Sequence, residues 1–391
     1  MLVKLAILSH MHHPIAEPFE GGTEAHTAML ANALVERGHE VTLFAKEGSV
    51  TKAITHQLVP KDFEFIRTAT PWVRVQQAGF LAEAVHHSIG VIQASNFDAV
   101  INSSLSALPF SFMPSLPMMT ILHTPPTLSD VNAVISDPDW IPSHRHEYVT
   151  VSTTNAEAWR AFLPRVEVVR NGIHIDQWTP GIEATPGLAV WAARITPEKG
   201  LHLAIDAVRA AGLDFEFAGP RSHADYFQSE IVPRLGPRVR YRGHLAHRDL
   251  RSFFASGAVF VASPLWAEPF GLTVVEALAS GTPVAALPNG AMRELIGPLA
   301  GAVATQTSVV ALADAIRAAL ECDSGEVRRS AMRFSFETMI GRYEEILARV
   351  AATPMSRSGR WCAPIHKANV GTKPVGTARQ SGVDAAQEGA R

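Results

Sequence analysis

Residues 2–8 read Leu2-Val3-Lys4-Leu5-Ala6-Ile7-Leu8 and residues 41–44 read Val41-Thr42-Leu43-Phe44. Between them, Thr23 to Arg37 carries Ala28, Ala31, Leu34 and Val35 on one helical face and stops at Gly38. Short apolar runs with polar bounds have the pattern of strands buried on both faces. The order is therefore strand, helix, strand. The alternation continues through Ala99-Val100-Ile101, Met118 to Leu122, Tyr148 to Ser152 and Val166 to Val169. Elements alternating in this way predict a parallel sheet with right-handed crossovers.

Around Asn171-Gly172-Ile173-His174-Ile175-Asp176 the pattern breaks, and Pro180, Gly181, Pro186 and Gly187 follow. Residues 171–187 are read as a linker. The alternation restarts with Leu188 to Ala193, Phe215 to Ala218, Val239 to Tyr241, Val259 to Ala262 and Val284 to Leu287. The expected fold is α/β with two Rossmann-like domains, residues 1–170 and 188–335. A closing helix over about 336–350 carries Met339, Tyr343, Ile346 and Leu347 at helical spacing. Residues 354–391 hold six Lys/Arg against two Asp/Glu and few large aliphatics, so a disordered tail is expected there.

A chain of 391 residues, 47% hydrophobic and 18% charged, can bury more than one core. With 34 Lys+Arg against 37 Asp+Glu, no overall positive field gathers nucleic acid. Cys322 and Cys362 form neither a disulfide framework nor a paired zinc spacing, which points to a reducing, cytoplasmic setting. Met1 to Leu8 is too short and too weakly charged for a signal peptide, and no apolar run approaches the length of a membrane span. The expectation is a soluble protein, peripheral at the membrane at most.

The chemistry is densest in Glu268-Pro269-Phe270-Gly271-Leu272-Thr273-Val274-Val275-Glu276, followed by Gly281-Thr282-Pro283. It follows an apolar strand and opens a helix. Free N–H groups of Phe270, Gly271 and Leu272 at the helix start favour a phosphate. Glu276, one turn inside, can accept from the two hydroxyls of a ribose, and Glu268 stands nearer a sugar. The blander alternative is a pair of carboxylates answering only the helix dipole. Arg194 and Lys199 flank a strand end and a helix start, where they neutralise a diphosphate or make an ordinary surface pair with Glu198. Gly21-Gly22 precedes the first helix, either as a plain turn or as a close-approach site for a phosphate or sugar.

The paired glutamates resemble the signature of the family-four retaining glycosyltransferases. Phe19-Glu20-Gly21-Gly22-Thr23-Glu24 resembles that family's first glycine-rich loop, Asn171-Gly172-Ile173 its linker, and Arg194 to Gly200 its phosphate segment. His123, in His-Thr-Pro-Pro, matches its active-site histidine. The resemblance covers roughly residues 1–350 and implies the GT-B fold, two parallel sheets facing across a cleft, with the closing helix packed back on the first domain. It implies transfer of a hexose-type sugar with retention from a nucleoside diphosphate sugar, a UDP-sugar first among them. The implied catalytic residues are His123, Glu268, Arg194 and Lys199. The implied donor-binding residues are Gly21, Gly22, Arg194, Lys199, Glu268, Phe270, Gly271, Leu272 and Glu276. Gly290-Ala291-Met292-Arg293-Glu294 departs from the usual two glycines and Pro-Glu, and no role is read for it.

Neither a cofactor nor a metal is expected. His10, His12 and His13 lack a helically spaced partner and read as loop histidines. Asp137-Pro138-Asp139 sits in a proline-rich loop and reads as turn-capping. The acceptor, apolar or a carbohydrate, is expected on the first domain near Leu105 to Met119, Phe63, Phe65, Trp72 and Phe80, although those residues equally suit packing against the sheet. Two other classes share the pattern. A nucleotide-dependent dehydrogenase lacks its dinucleotide glycine fingerprint here, and a catalytically silent nucleotide-sugar binder has no need of Gly21, Gly22 and His123.

Overall fold

The computed structural model describes residues 2–66, 69–178 and 184–351. The tail expected at 354–391, and Cys362 with it, lies outside the described residues.

The first sheet contains β1 (Lys4–Ser9), β2 (Glu40–Lys46), β3 (Ile54–Val59), β4 (Ala99–Ser103), β5 (Met118–Leu122), β6 (His146–Thr150) and β7 (Glu167–Val168). Their spatial order is β3-β2-β1-β4-β5-β6-β7, and every neighbouring pair is parallel. The second sheet contains β8 (Thr185–Ala192), β9 (Asp214–Ala218), β10 (Val239–Tyr241), β11 (Gly257–Ala262), β12 (Val284–Ala286) and β13 (Gly301–Val303). Its order, β10-β9-β8-β11-β12-β13, repeats the first, again all parallel.

Period-two burial explains why apolar runs rather than alternating ones encode these strands. Leu5 and Ile7 face the helices Gly22–Glu36 and Phe336–Ala351, whereas Ala6 and Leu8 face the helix Pro71–Ala94. In the second sheet Val190 and Ala192 enter one core layer and Ala189 and Trp191 the other. Each such large aliphatic contributes about 1.5–3 kcal/mol by burial. β3 and β13 were not visible as apolar runs; β3 is a largely exposed edge strand and β13 is only Gly301–Val303. β8 begins at Thr185, ahead of the Leu188 start expected from the sequence.

The helix Phe336–Ala351 follows the second sheet in sequence but buries Met339, Ile340, Tyr343, Ile346 and Leu347 in the core of the first. Its polar side is tied down as well. Arg37 donates to Glu344 at 2.7 Å, and Arg342 and Arg349 reach Glu167 at 2.7 and 2.5 Å. The chain therefore crosses between the sheets twice. The two crossings touch where Ile173 pairs with Ser335, and a Cβ on Gly172 would stand 2.4 Å from the Ser335 carbonyl oxygen.

In both sheets the chain reverses its direction of growth beside the first strand, between β1 and β4 and between β8 and β11. Open parallel sheets bind ligands at the carboxyl ends of their strands at such switch points. No helix among the described residues is long and apolar enough to cross a membrane.

Candidate active site

A cavity of about 650 Å³ lies at these switch points. The first sheet supplies His10, Gly21, Gly22 and Glu24 after β1, Leu105 after β4 and His123 after β5. The second supplies Arg194 and Lys199 after β8, Pro220 after β9, and Glu268, Gly271 and Glu276 after β11. Every residue singled out above as a catalytic or donor-binding candidate lines this one space.

The two halves meet directly across it. A Cβ at Gly21 would lie 3.9 Å from the Arg194 guanidinium carbon, and one at Gly22 would lie 3.4 Å from Leu272 Cδ1. Ser222 Oγ donates to Glu20 Oε1 at 2.7 Å, and His244 Nε2 lies 3.2 Å from the Phe19 carbonyl oxygen. At the far end Glu294 accepts from the Thr153 amide at 2.9 Å and from Arg170 Nε at 2.8 Å. The loop for which the sequence suggested no role therefore carries a carboxylate that fastens one half to the other.

Lys199 ends a 3-10 turn, Pro197–Lys199, and its ammonium sits 2.5 Å from Glu268 Oε2 and 5.2 Å from the centre of the Trp266 ring. Trp266 Nε1 donates to the same oxygen at 2.8 Å. Both donors thus converge on Oε2 and fix the carboxylate. Glu268 is held from behind by Gly290, whose φ of +65° admits only glycine comfortably and whose Cβ would stand 2.1 Å from the Glu268 carbonyl oxygen. Ala291 N donates to that carbonyl at 2.9 Å.

The helix Leu272–Ala279 starts from Gly271 at φ +107°, a left-handed backbone that side chains resist. Phe270 is buried edge-on to Phe334, 5.8 Å between ring centres, so it offers a ligand its backbone rather than its ring. Glu276 is 6% exposed, and His247 Nε2 lies 3.5 Å from its Oε1. Burial works to lower the His247 pKa, but the hydrogen bond and charge of Glu276 outweigh it, and the pKa is raised. The His247 ring is fixed by an edge contact with buried Trp178.

The first-domain wall is richer in ionisable groups than the sequence suggested. His10 Nε2 lies 3.3 Å from Glu24 Oε1, both nearly fully buried, and burial raises the Glu24 pKa. His12 and His13 also line the cavity, His12 edge-on to Phe65 at 4.5 Å. His123 is 8% exposed, its Nε2 has no hydrogen-bond partner among the described residues, and burial followed by the nearby His26 and His10 lowers its pKa well below the ordinary value. The expected acceptor residues divide. Phe65 and Leu105 line the cavity, Phe63 stacks on Phe80 at 4.8 Å, Phe110 and Met113 are core, and Trp72 is exposed. Asp137 and Asp139 are exposed in a turn closed by Asp139 N donating to Asp137 Oδ1 at 2.9 Å.

These buried neutral histidines make a stability prediction. Burial holds His26 at about 4 and His146 at about 3, while an unfolded histidine titrates near 6.5. Below about 6.5 the unfolded chain takes up protons that the folded chain refuses, so this stabilisation is complete above that pH and is lost as pH falls toward 4. Each pH unit in that window costs about 1.4 kcal/mol per histidine. Glu24 pulls the other way, but two or more histidines outweigh it. Thermal melts from pH 7 to pH 5 should show a steady fall; a flat or rising profile would contradict it.

Comparison with known proteins agrees with this arrangement. The model described as Glycosyltransferase Family 4 matches residues 20–177, and that described as Glycosyl transferases group 1 matches residues 174–335. The chain belongs to this family of glycosyltransferases and has its GT-B fold. Among curated relatives, glycogen synthase of Mycobacterium tuberculosis is 26% identical over 357 residues, covering 79% of this chain and 85% of that protein. Among solved structures, sucrose-phosphate synthase from Thermosynechococcus elongatus superposes with a TM-score of 0.72 at 17% identity, covering 89% of this chain and 99% of that one. Anabaena Alr3699/HepE, determined in complex with UDP and glucose, superposes with a TM-score of 0.68 at 18% identity, covering 88% and 99%.

Proposed function

We propose that this glycosyltransferase moves a hexosyl group from a nucleoside diphosphate sugar, a UDP-sugar first among the candidates, to an acceptor hydroxyl with retention and without a divalent metal. The observation that carries the reading is the convergence of Arg194, Lys199 and the Gly271–Leu272 helix start on one cavity wall, opposite Gly21, Gly22 and His123 on the other. Cations and helix-start amides are the donors that stabilise charge growing on a departing diphosphate oxygen. Alr3699/HepE, of the same fold, binds UDP and glucose.

In this reading Glu276 accepts from the ribose hydroxyls, Arg194 and Lys199 meet the diphosphate, and Glu268 and His123 hold the sugar. The bond from the anomeric carbon to the phosphate oxygen breaks and one to the acceptor oxygen forms on the same face. The acceptor proton passes to the leaving phosphate. The two cations supply the charge that a metal otherwise provides.

The test is calorimetric titration with UDP, GDP, ADP and dTDP, followed by transfer assays with the matching sugars and excess chelator. Glu276→Ala should weaken binding of the preferred nucleoside diphosphate about ten- to a hundredfold, because hydrogen bonds to a charged acceptor are lost. Unchanged affinity in a folded variant refutes the ribose assignment, and activity that vanishes with chelator refutes the metal-free mechanism.

A further inference from the structure

Tyr343 is fully buried on the helix Phe336–Ala351, among Met339, Ile340, Ile346 and Leu347, where a phenyl ring would fill the same volume. A hydroxyl taken out of water costs about 1–3 kcal/mol unless it is hydrogen-bonded. Its partner is His26, on the helix Gly22–Glu36, with 3.1 Å between the Tyr343 hydroxyl and His26 Nε2. The His26 ring lies edge-to-face with that of His123, the centres 4.9 Å apart and the planes at 70°. His123 in turn lines the cavity and carries a buried Nε2 with no hydrogen-bond partner among the described residues.

We infer that Tyr343 and His26 are positioning residues for His123: the hydroxyl sets the plane of the His26 ring, and that ring sets the plane in which His123 meets the donor sugar. This rests on the reading of His123 as a sugar-binding group. Burial holds His26 neutral down to about 4 and His123 neutral as well, so the pair works through ring orientation rather than charge. An imidazole nitrogen must lie within hydrogen-bond reach and in line with its sugar hydroxyl, and small misplacements carry large rate penalties. The arrangement makes turnover depend on the helix that returns from the second sheet, 317 residues from His26 in the sequence.

The experiment is a double-mutant cycle between Tyr343→Phe and His123→Ala, read by kcat, donor KM and nucleoside diphosphate affinity. Tyr343→Phe should lower kcat on the order of tenfold at unchanged nucleotide affinity. In the His123→Ala background it should add almost nothing, because the ring it orients is gone. Tyr343→Phe with wild-type kcat overturns the inference, as does an equal loss in both backgrounds. A His123→Ala variant that turns over normally defeats instead the sugar-binding reading on which the inference rests. If Tyr343→Phe does not fold, His26→Gln takes its place, with the same expected and refuting outcomes.

Discussion

Replacement of Lys199 by Ala should lower kcat/KM for sugar transfer roughly 10²–10³-fold, the usual loss when one preorganised donor is removed from a charge-stabilising site. The Lys199 side chain is 16% exposed, and its ammonium is clamped between Glu268 and the Trp266 ring. Little reorganisation is then needed when charge develops. The loss has a second source. Without Lys199, Glu268, itself 14% exposed, presents an uncompensated carboxylate close to where the diphosphate sits. Nucleoside diphosphate affinity should therefore fall along with turnover, since ground-state charge is affected as well. Adding Glu268→Gln should restore affinity in part while leaving turnover low. Titrations and steady-state rates on the single and double variants decide this, and a Lys199→Ala enzyme within a few-fold of wild type would remove the diphosphate assignment.

His123→Ala should cut kcat on the order of a hundredfold, as expected for a positioned group at the reacting centre. It should change nucleoside diphosphate affinity little. The contrast with Lys199 follows from what each residue meets. Lys199 stands among the groups assigned to the phosphates, whereas His123 comes from the opposite wall with a buried Nε2 that none of the described residues satisfies. An interaction made with the sugar and strengthened in the transition state appears in kcat and not in the affinity for a sugar-free nucleotide. The same two measurements test it. Turnover at the wild-type rate would take the first-domain wall out of the reaction.

Lys199 and the groups around it are visible in the sequence because the segments carrying them are contiguous, whereas His123 rests on its match to the family's active-site histidine. Glu268 to Glu276 is one loop and one helix start, and Arg194 to Lys199 is one strand end and one turn. Their spacing alone sets them at the carboxyl ends of strands, so local periodicity was enough. It was also enough for the interior strands, which must be apolar on both faces. Edge strands β3 and β13 escape this rule, since an edge has less to bury and so lacks a continuous apolar run.

What the sequence determined by itself is thus the α/β alternation, the doubling of the Rossmann pattern and the cluster of phosphate-type donors after β8 and β11. Only the tertiary structure decided which distant side chains complete the site. Glu294 meets the Thr153 amide across 141 residues, Glu20 meets Ser222 across 202, and Tyr343 meets His26 across 317. Such pairs leave no periodic trace. Each partner satisfies its local surroundings as an ordinary helix or loop residue, and the energy that joins them exists only after two sheets and a returning helix have brought them together.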